Sequence, residues 1–596
     1  MILRACLLCI LLVGAAPGSA STYYVSSSAG DDNNDGQAMA SPFQSIAHLN
    51  GMSFAAGDSI LFQSGDYWEG MFWIQGTGSE EERIVVGKYG GDERPILNGF
   101  GYQACLLIYN DSYIDIQDLE LYNEASHLDA QGVVKKLDGF VGESNDWGSG
   151  KNVRFGIKVV ADNQSVEGFR FSNLYVHDVF PTPTAVEHEH KGYGIKIETQ
   201  SDLSVNSVHL AHDIHFSGLT IARTGHYGIW IKSLGLNQND ALKNQFVTME
   251  FCDFDNTGGA GFVPNKSEFV VVENCTFNHS GSSVDPRMWK RGSGMWPFDC
   301  RNVVAQHNQF LNAHGPIDSY GAHIDYGNEN VAFQYNLSYN NEGGFVEILG
   351  DNINCGYRYN ISINDGYRID SEGIHNGRTY NVSDYCGVNN GGCPSQGSFI
   401  YNNTIFIGDT IHPEIRIKPE IGQLYCYNNL LYCTPTGEEL ACIVDAETNE
   451  LNFSHNLYFD SGRMNLAGAI TTNAVWGDPL LMGPDDLGSM NPEDYRIGLG
   501  SSAFQAGVFP WDMIAPNAFF DYGYSSGYFG DGVESDAHPS IGAHQPHLGS
   551  FYCDEGVPWD PILLKCTACS CEGDFNFDGV VTISDLLVFF SLFGTE

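Results

Sequence analysis

Two stretches, "NVVAQHNQFLNAHG" (residues 302–315) and "NVAFQYNLSYNNEG" (residues 330–343), repeat one design. Each alternates apolar and polar residues, ends in a break rich in Asn and Gly, and carries an Asn at the same phase, Asn308 and Asn336. Alternation at period two with Gly and Asn at its ends predicts short strands and turns. The same design runs from about residue 105 to 460, in "YIDIQDLELYN", "VEGFRFSNLYVHD", "DIHFSGLTIARTG", "VTMEFCDFDNTG", "FVVVENCTFNHSG" and "CGYRYNISINDG". Equivalent positions are 28 residues apart from Asn308 to Asn336, 24 from Asn336 to Asn360 and 23 from Cys252 to Cys275. Steps of this size suit an all-β parallel solenoid, whose coils stack about 4.8 Å apart, better than a β-propeller, whose blades need about 40 residues each. Stacked Asn side chains at one phase are expected to satisfy turn backbone groups rather than to bind a ligand.

In a solenoid, side chains alternate inward and outward, and equivalent outward positions line up along the axis. Aligning the strands "GIKIE" (from Gly194), "GIWIK" (Gly228), "GFVPN" (Gly261), "GMWPF" (Gly294), "GAHID" (Gly321) and "GGFVE" (Gly343) by their first Gly gives two outward rows. One reads Lys196, Trp230, Val263, Trp296, His323, Phe345, and the other Glu198, Lys232, Asn265, Phe298, Asp325, Glu347. On this alignment Asp325 and Glu347 are equivalent and their carboxylates lie about 5 Å apart. Two acids so close cannot both ionise easily, so one is expected to hold a proton near neutrality. A protonated and an ionised carboxyl facing a cleft are what glycosidic bond cleavage needs. Asp325, Glu347 and His323 are the candidate catalytic residues. A structural calcium site is the competing reading of the acid pair.

Trp230 and Trp296 on an exposed face suit stacking on sugar rings, with Lys232 and Glu198 beside them. The segment "SVDPRMWKRGSG" (residues 283–294) adds Arg287, Lys290 and Arg291, whose charges suit carboxylate or sulfate groups on a substrate. These seven are the candidate substrate-binding residues.

The chain has 28 Lys and Arg against 73 Asp and Glu, a formal net charge of −45, which leaves no basic stripe for nucleic acid. At 42% hydrophobic and 13% aromatic residues it is expected to fold and not to be disordered. Residues 1–20, "MILRACLLCILLVGAAPGSA", read as a signal peptide cleaved near Ala20, so the protein is expected to be secreted. No later apolar run reaches the roughly 18 residues of a membrane span. Removal of Cys6 and Cys9 leaves 14 of 16 cysteines, for which an oxidising compartment predicts disulfides. Cys386 can close a short loop with Cys393, and Cys553, Cys566, Cys569 and Cys571 fit two disulfides better than a zinc site.

"DFNFDGVVTISD" (residues 574–585) matches a calcium loop, with Asp574, Asn576, Asp578, the Val580 carbonyl and Asp585 as ligands and Gly579 at the sharp turn. A short helix, "LLVFFSLFG", follows.

"YYVSSSAGDDNNDGQAMASPFQSIAHLNGMSFAAGDSILFQSGDYW" (residues 23–68) resembles the opening segment of secreted right-handed parallel β-helix proteins of the pectate-lyase-like superfamily. "GDPLLMGPDDLGSMNPEDYRIGLGSSAFQAGV" (residues 477–508) and "PSIGAHQP" (residues 539–546) are similar to their closing segment. The resemblance implies a right-handed β-helix over residues 21–546 and action on carbohydrate. Residues 547–572 then form a Cys-rich linker, and residues 573–596 resemble half of a dockerin repeat. A dockerin carries two such loops, so a cohesin-like or cell-surface partner is one expectation and a calcium-stiffened terminus another. The leading functional expectation is an exported glycoside hydrolase on a complex polysaccharide, anionic and sulfated ones included. A lyase, with calcium on Asp325 and Glu347 and Lys196, Lys232 or Arg291 as base, and a non-catalytic glycan-binding adhesin are the alternatives.

Overall fold

The computed structural model describes residues 20–546, except 125–152, 183–189, 239, 370–374, 447–450, 460–461, 465–470, 484–486, 499, 510–526 and 531–537, and beyond 546 only the backbone of three short strands. Residues 1–19 and the loop Asp574, Asn576, Asp578, Val580 and Asp585 therefore lie outside the described residues, as do Cys569 and Cys571.

Strand pairing follows the repeat. A 15-stranded parallel sheet and a 14-stranded parallel sheet form two walls of a solenoid, and six- and four-stranded parallel sheets form the third. One coil runs through Asn244–Glu250 on the first wall, Asp253–Thr257 on the second and Phe262–Pro264 on the third. The first and second walls meet at a tight corner whose residue is left-handed in coil after coil, including Phe251, Asn274, His307, Tyr335 and Tyr359, all at φ between 53° and 55°. The only α-helix among the described residues is Ile46–Leu49, in the opening segment, where Ile46 and Leu49 are buried in the core.

The interior is stacked apolar side chains. Phe254, Phe277 and Phe310 lie ring over ring, 4.7 Å and then 5.1 Å apart, one per coil. The Asn phase predicted from spacing is an internal ladder. Asn308, Asn336, Asn360, Asn403 and Asn429 each donate through both the backbone amide and Nδ2 to Oδ1 of the next Asn, ending at Asn456. Each of these Asn side chains is buried and engaged, so the ladder pins the corner of each coil from Asn308 to Asn456 to the next.

Cysteine use departs from expectation. Cys386 and Cys393 do form a disulfide. The other eight cysteines with described side chains are thiols outside that bridge, and seven of them are buried. They serve as small apolar core residues, so an even cysteine count was a poor guide to bridges here. The closing segment does not add coils. Leu481, Tyr495, Ile497, Ala503, Ile541 and Ala543 pack against Leu337, Ile361, Leu430 and Leu457 of the second wall.

Candidate active site

The third wall is where the sheet is interrupted, and the site lies at the interruption. Between its six-stranded and four-stranded parts, residues 294–298 and 320–324 connect the coils through isolated bridges only: Phe262 to Met295, Met295 to Ala322, Tyr320 to Gly344 and Ile324 to Ile348. These bridges set the register. Trp230 pairs with Val263, and the bridges carry the outward row on through Trp296, His323 and Glu347, then to Asn381 and Arg416.

The equivalence of Asp325 with Glu347 is thereby corrected. The step between these coils is 24 residues (Ile324 to Ile348), so Glu347 stands opposite His323, and Asp325 is its diagonal neighbour on the same face. A diagonal of one strand spacing and two residues is about 8 Å between backbone positions, not about 5 Å. Phe345, placed in the outward row from sequence, packs in the core against Tyr357. The doubled glycine misled the alignment: Gly344, at φ 145°, is the residue that pairs with Tyr320.

His323 is buried, its Nδ1 2.8 Å from Ser293 Oγ and 3.8 Å from Glu347 Oε2, and its ring lies flat on Trp296 at 5.6 Å. Burial pulls its pKa down to about 4, with Arg291 adding to the fall, so the imidazole is neutral at ordinary pH. Glu347 is 6% exposed and accepts a 2.7 Å hydrogen bond from Asn381 Nδ2. Burial, then the charges of Asp318 and Asp325, pushes its carboxyl up to about 8 against the Asn381 bond and Arg378. Asp325 is partly buried and accepts from the Tyr326 amide at 2.9 Å. Burial again comes first in raising it to about 7, with the Asp318 charge adding and the Tyr326 amide and Arg291 opposing.

Asp318 was not singled out from sequence, yet its charge acts on Asp325, Glu347 and His323 alike. It sits on the loop before the Asp325 segment, ion-paired to Arg291 Nε at 2.9 Å, while its backbone carbonyl accepts from Arg368 Nη2 at 2.7 Å. Asp318 and Ser319 are consecutive non-glycine residues at φ 59° and 65°, a backbone conformation held at a cost. The only sequence signal was an acid seven residues before Asp325, outside any strand repeat.

The remaining candidates separate. Trp230 and Trp296 are partly exposed in the outward row, with Tyr227 edge-on to both. Lys232 Nζ and Lys196 Nζ each lie 4.6 Å from the Trp230 ring centre. Glu198 is in its predicted register but fully buried, ion-paired to Lys196 at 2.6 Å and Lys158 at 3.2 Å, which holds its carboxyl far below the usual range. It is a buried charge cluster, not a surface for substrate. Arg287 is tied to Asp285 at 2.7 Å and Glu124 at 3.3 Å and stacks on Phe180, and Arg291 is the partner of Asp318. Lys290 lines a neighbouring cleft. Among the described residues no group of three or more His, Cys, Asp or Glu is arranged to hold a metal ion.

A family model described as "Right handed beta helix region" matches residues 155–362. The fold is a right-handed parallel β-helix. Among curated proteins, a lacto-N-biosidase of Bifidobacterium longum subsp. longum is 23% identical over 625 aligned positions, covering 88% of this chain but 36% of that protein. The chain thus spans about a third of the length of the curated relative it matches. Among solved structures, the GH136 lacto-N-biosidase of Eubacterium ramulus, in native and selenomethionine forms, superposes with a TM-score of 0.50 at 20% identity, over 72% of this chain and 67% of that one. Within the β-helix, Trp296, His323 and Asp325 sit at the interruption of the third wall, with Trp230 and Glu347 in the regular strands on either side of it.

Proposed function

We propose that this protein is an exported glycoside hydrolase in which Asp325 is the proton donor. The observation that carries this reading is the pairing of Asp325, raised to about 7 and so able to hold a proton at neutral pH, with a second carboxylate, Asp318, ion-paired to Arg291. A carboxyl that keeps its proton, with a second carboxyl group held by an arginine on the loop before it, supplies the acid and the counter-charge that glycosidic cleavage needs. Asp325 gives its proton to the departing glycosidic oxygen. The carboxylate of Asp318 offsets the positive charge that develops at the anomeric carbon as its bond to that oxygen breaks, and a water oxygen then bonds to that carbon while one of the water's protons returns to Asp325. Glu347, buried and hydrogen-bonded to Asn381, and neutral His323 on Trp296 form the back of the site. Trp230 and Trp296 offer faces to the sugar.

The likeness to lacto-N-biosidases supports the hydrolase reading over a lyase, as does the buried ion pairing of Lys196, a candidate lyase base. The substrate proposed is a complex glycan, with those that end in a lacto-N-biose unit tested beside algal and plant polysaccharides, sulfated ones included. The C-terminal loop is proposed to bind calcium through Asp574, Asn576, Asp578, the Val580 carbonyl and Asp585, and to dock the enzyme to a cell-surface or cohesin-like partner. Incubation of the full chain with this panel, with products read by mass spectrometry and ultraviolet absorbance, tests the assignment. Hydrolysis gives saturated products with new reducing ends, and unsaturated products would overturn it in favour of the lyase. Binding without any product would favour the adhesin.

A further inference from the structure

A cleft of about 560 Å³ is lined in part by Gly315 and Pro316, which lead into the Asp318 loop. Its volume lies in the roughly 300–1,000 Å³ range of small-molecule sites. Asn256, His279, Ser282, Lys290, His314 and Arg368 contribute to its lining. The His279 and His314 rings stack at 5.6 Å and are held in place, His314 Nδ1 3.0 Å from the Tyr367 hydroxyl and His279 Nδ1 3.5 Å from Asp255 Oδ1. Ser282 Oγ already donates to Asn256 Oδ1 at 2.8 Å, which orients the amide. Val284 and Ile369, also lining residues, are 67% and 66% exposed. Polar donors and acceptors in the lining with exposed aliphatic groups beside them match a pyranose, whose hydroxyls point outward around an apolar C–H face.

The cleft is mechanically continuous with the acids. Lys290 lines it and the next residue, Arg291, holds Asp318. Arg368 lines it and donates to the Asp318 carbonyl. Gly315, at the start of the same loop, donates its amide to Glu342 Oε2 at 2.9 Å, and both residues line the cleft.

We infer that this cleft is a remote saccharide subsite, which takes a sugar unit of a substrate longer than a disaccharide and braces the Asp318 loop when filled. The inference rests on the carbohydrate reading above but not on the identity of the proton donor. The full chain carrying Asp325→Asn is titrated calorimetrically with two-, four- and six-unit oligosaccharides from the same panel, with and without Ser283→Trp, which places an indole in the cleft from an exposed position, and separately with His279→Ala. The expected result is a roughly tenfold loss of affinity for four- and six-unit ligands in both variants, and a change within twofold for two-unit ligands. Equal affinity across the variants overturns the subsite, whatever the turnover results. Length-dependent binding that both variants weaken, in a protein whose unsubstituted form cleaves nothing, upholds the subsite and sinks the hydrolase.

Discussion

His323 and Glu347 occupy equivalent places on adjacent coils, with Nδ1 3.8 Å from Oε2. This puts the most buried acid of the site behind a neutral imidazole, while Asp325, a diagonal step away and nearer solvent, shares its surroundings with the ion-paired Asp318. Roles follow from that placement.

Asp325→Asn removes the proposed proton donor without changing side-chain size. Steady-state turnover on a natural glycan is expected to fall about 10²–10⁴-fold, the usual contribution of general acid catalysis. An aryl glycoside with an acidic leaving group, which needs little protonation, should lose far less. Equal losses on both substrates would remove Asp325 from the role.

Arg291 opposes the rise in the Asp325 pKa. Arg291→Met is therefore expected to move the alkaline limb of the pH–rate profile upward, and Asp318→Asn to abolish turnover on all substrates. A limb that moves down in Arg291→Met would mean that another group sets it.

Asp325 and Glu347, raised to about 7 and about 8, hold protons in the folded chain that the unfolded chain has released above about pH 4 to 5. The native state thus binds more protons than the unfolded state across that window, so these two sites make stability fall as pH rises from about 5 to 8. His323, depressed to about 4, acts in the opposite sense, but only below about pH 6.5. Glu347→Gln should raise the melting temperature at pH 8 to 9 and change it little at pH 5, as thermal unfolding across pH will show.

Asn360 is buried, and its Oδ1 accepts from both the amide and Nδ2 of Asn336, while its Nδ2 donates to Phe333 O and Asn403 Oδ1. Asn360→Ala leaves a buried backbone amide unpaired and is expected to cost about 1–3 kcal/mol in denaturant unfolding. Asn340→Ala, in a partly exposed Asn stack one corner away, should cost less.

The repeat was legible because strand alternation and corner chemistry are local. The phase of Asn308, Asn336 and Asn360, the parity that turns Trp230, Trp296 and His323 outward, and the short Cys386–Cys393 loop were all readable from spacing. Exposure was not. Glu198 has the right register, yet it lies fully buried beside Lys158 and Lys196, because what covers an outward face depends on distant chain. The cysteines of the core misled for a similar reason: a thiol's compartment is in the sequence, but its distance from another thiol is not.

Alternation along each strand, a property of neighbouring residues, settled that this chain coils and, apart from Phe345 beside the doubled glycine, which side chains of the aligned strands leave the core. How far one coil slides against the next was settled in three dimensions, because loops of unequal length between Gly294 and Gly344 let pairing hydrogen bonds, and not glycine positions, choose the register. That choice set Glu347 opposite His323, and the folding of a strained loop beside them brought in Asp318, an acid that no repeat could announce.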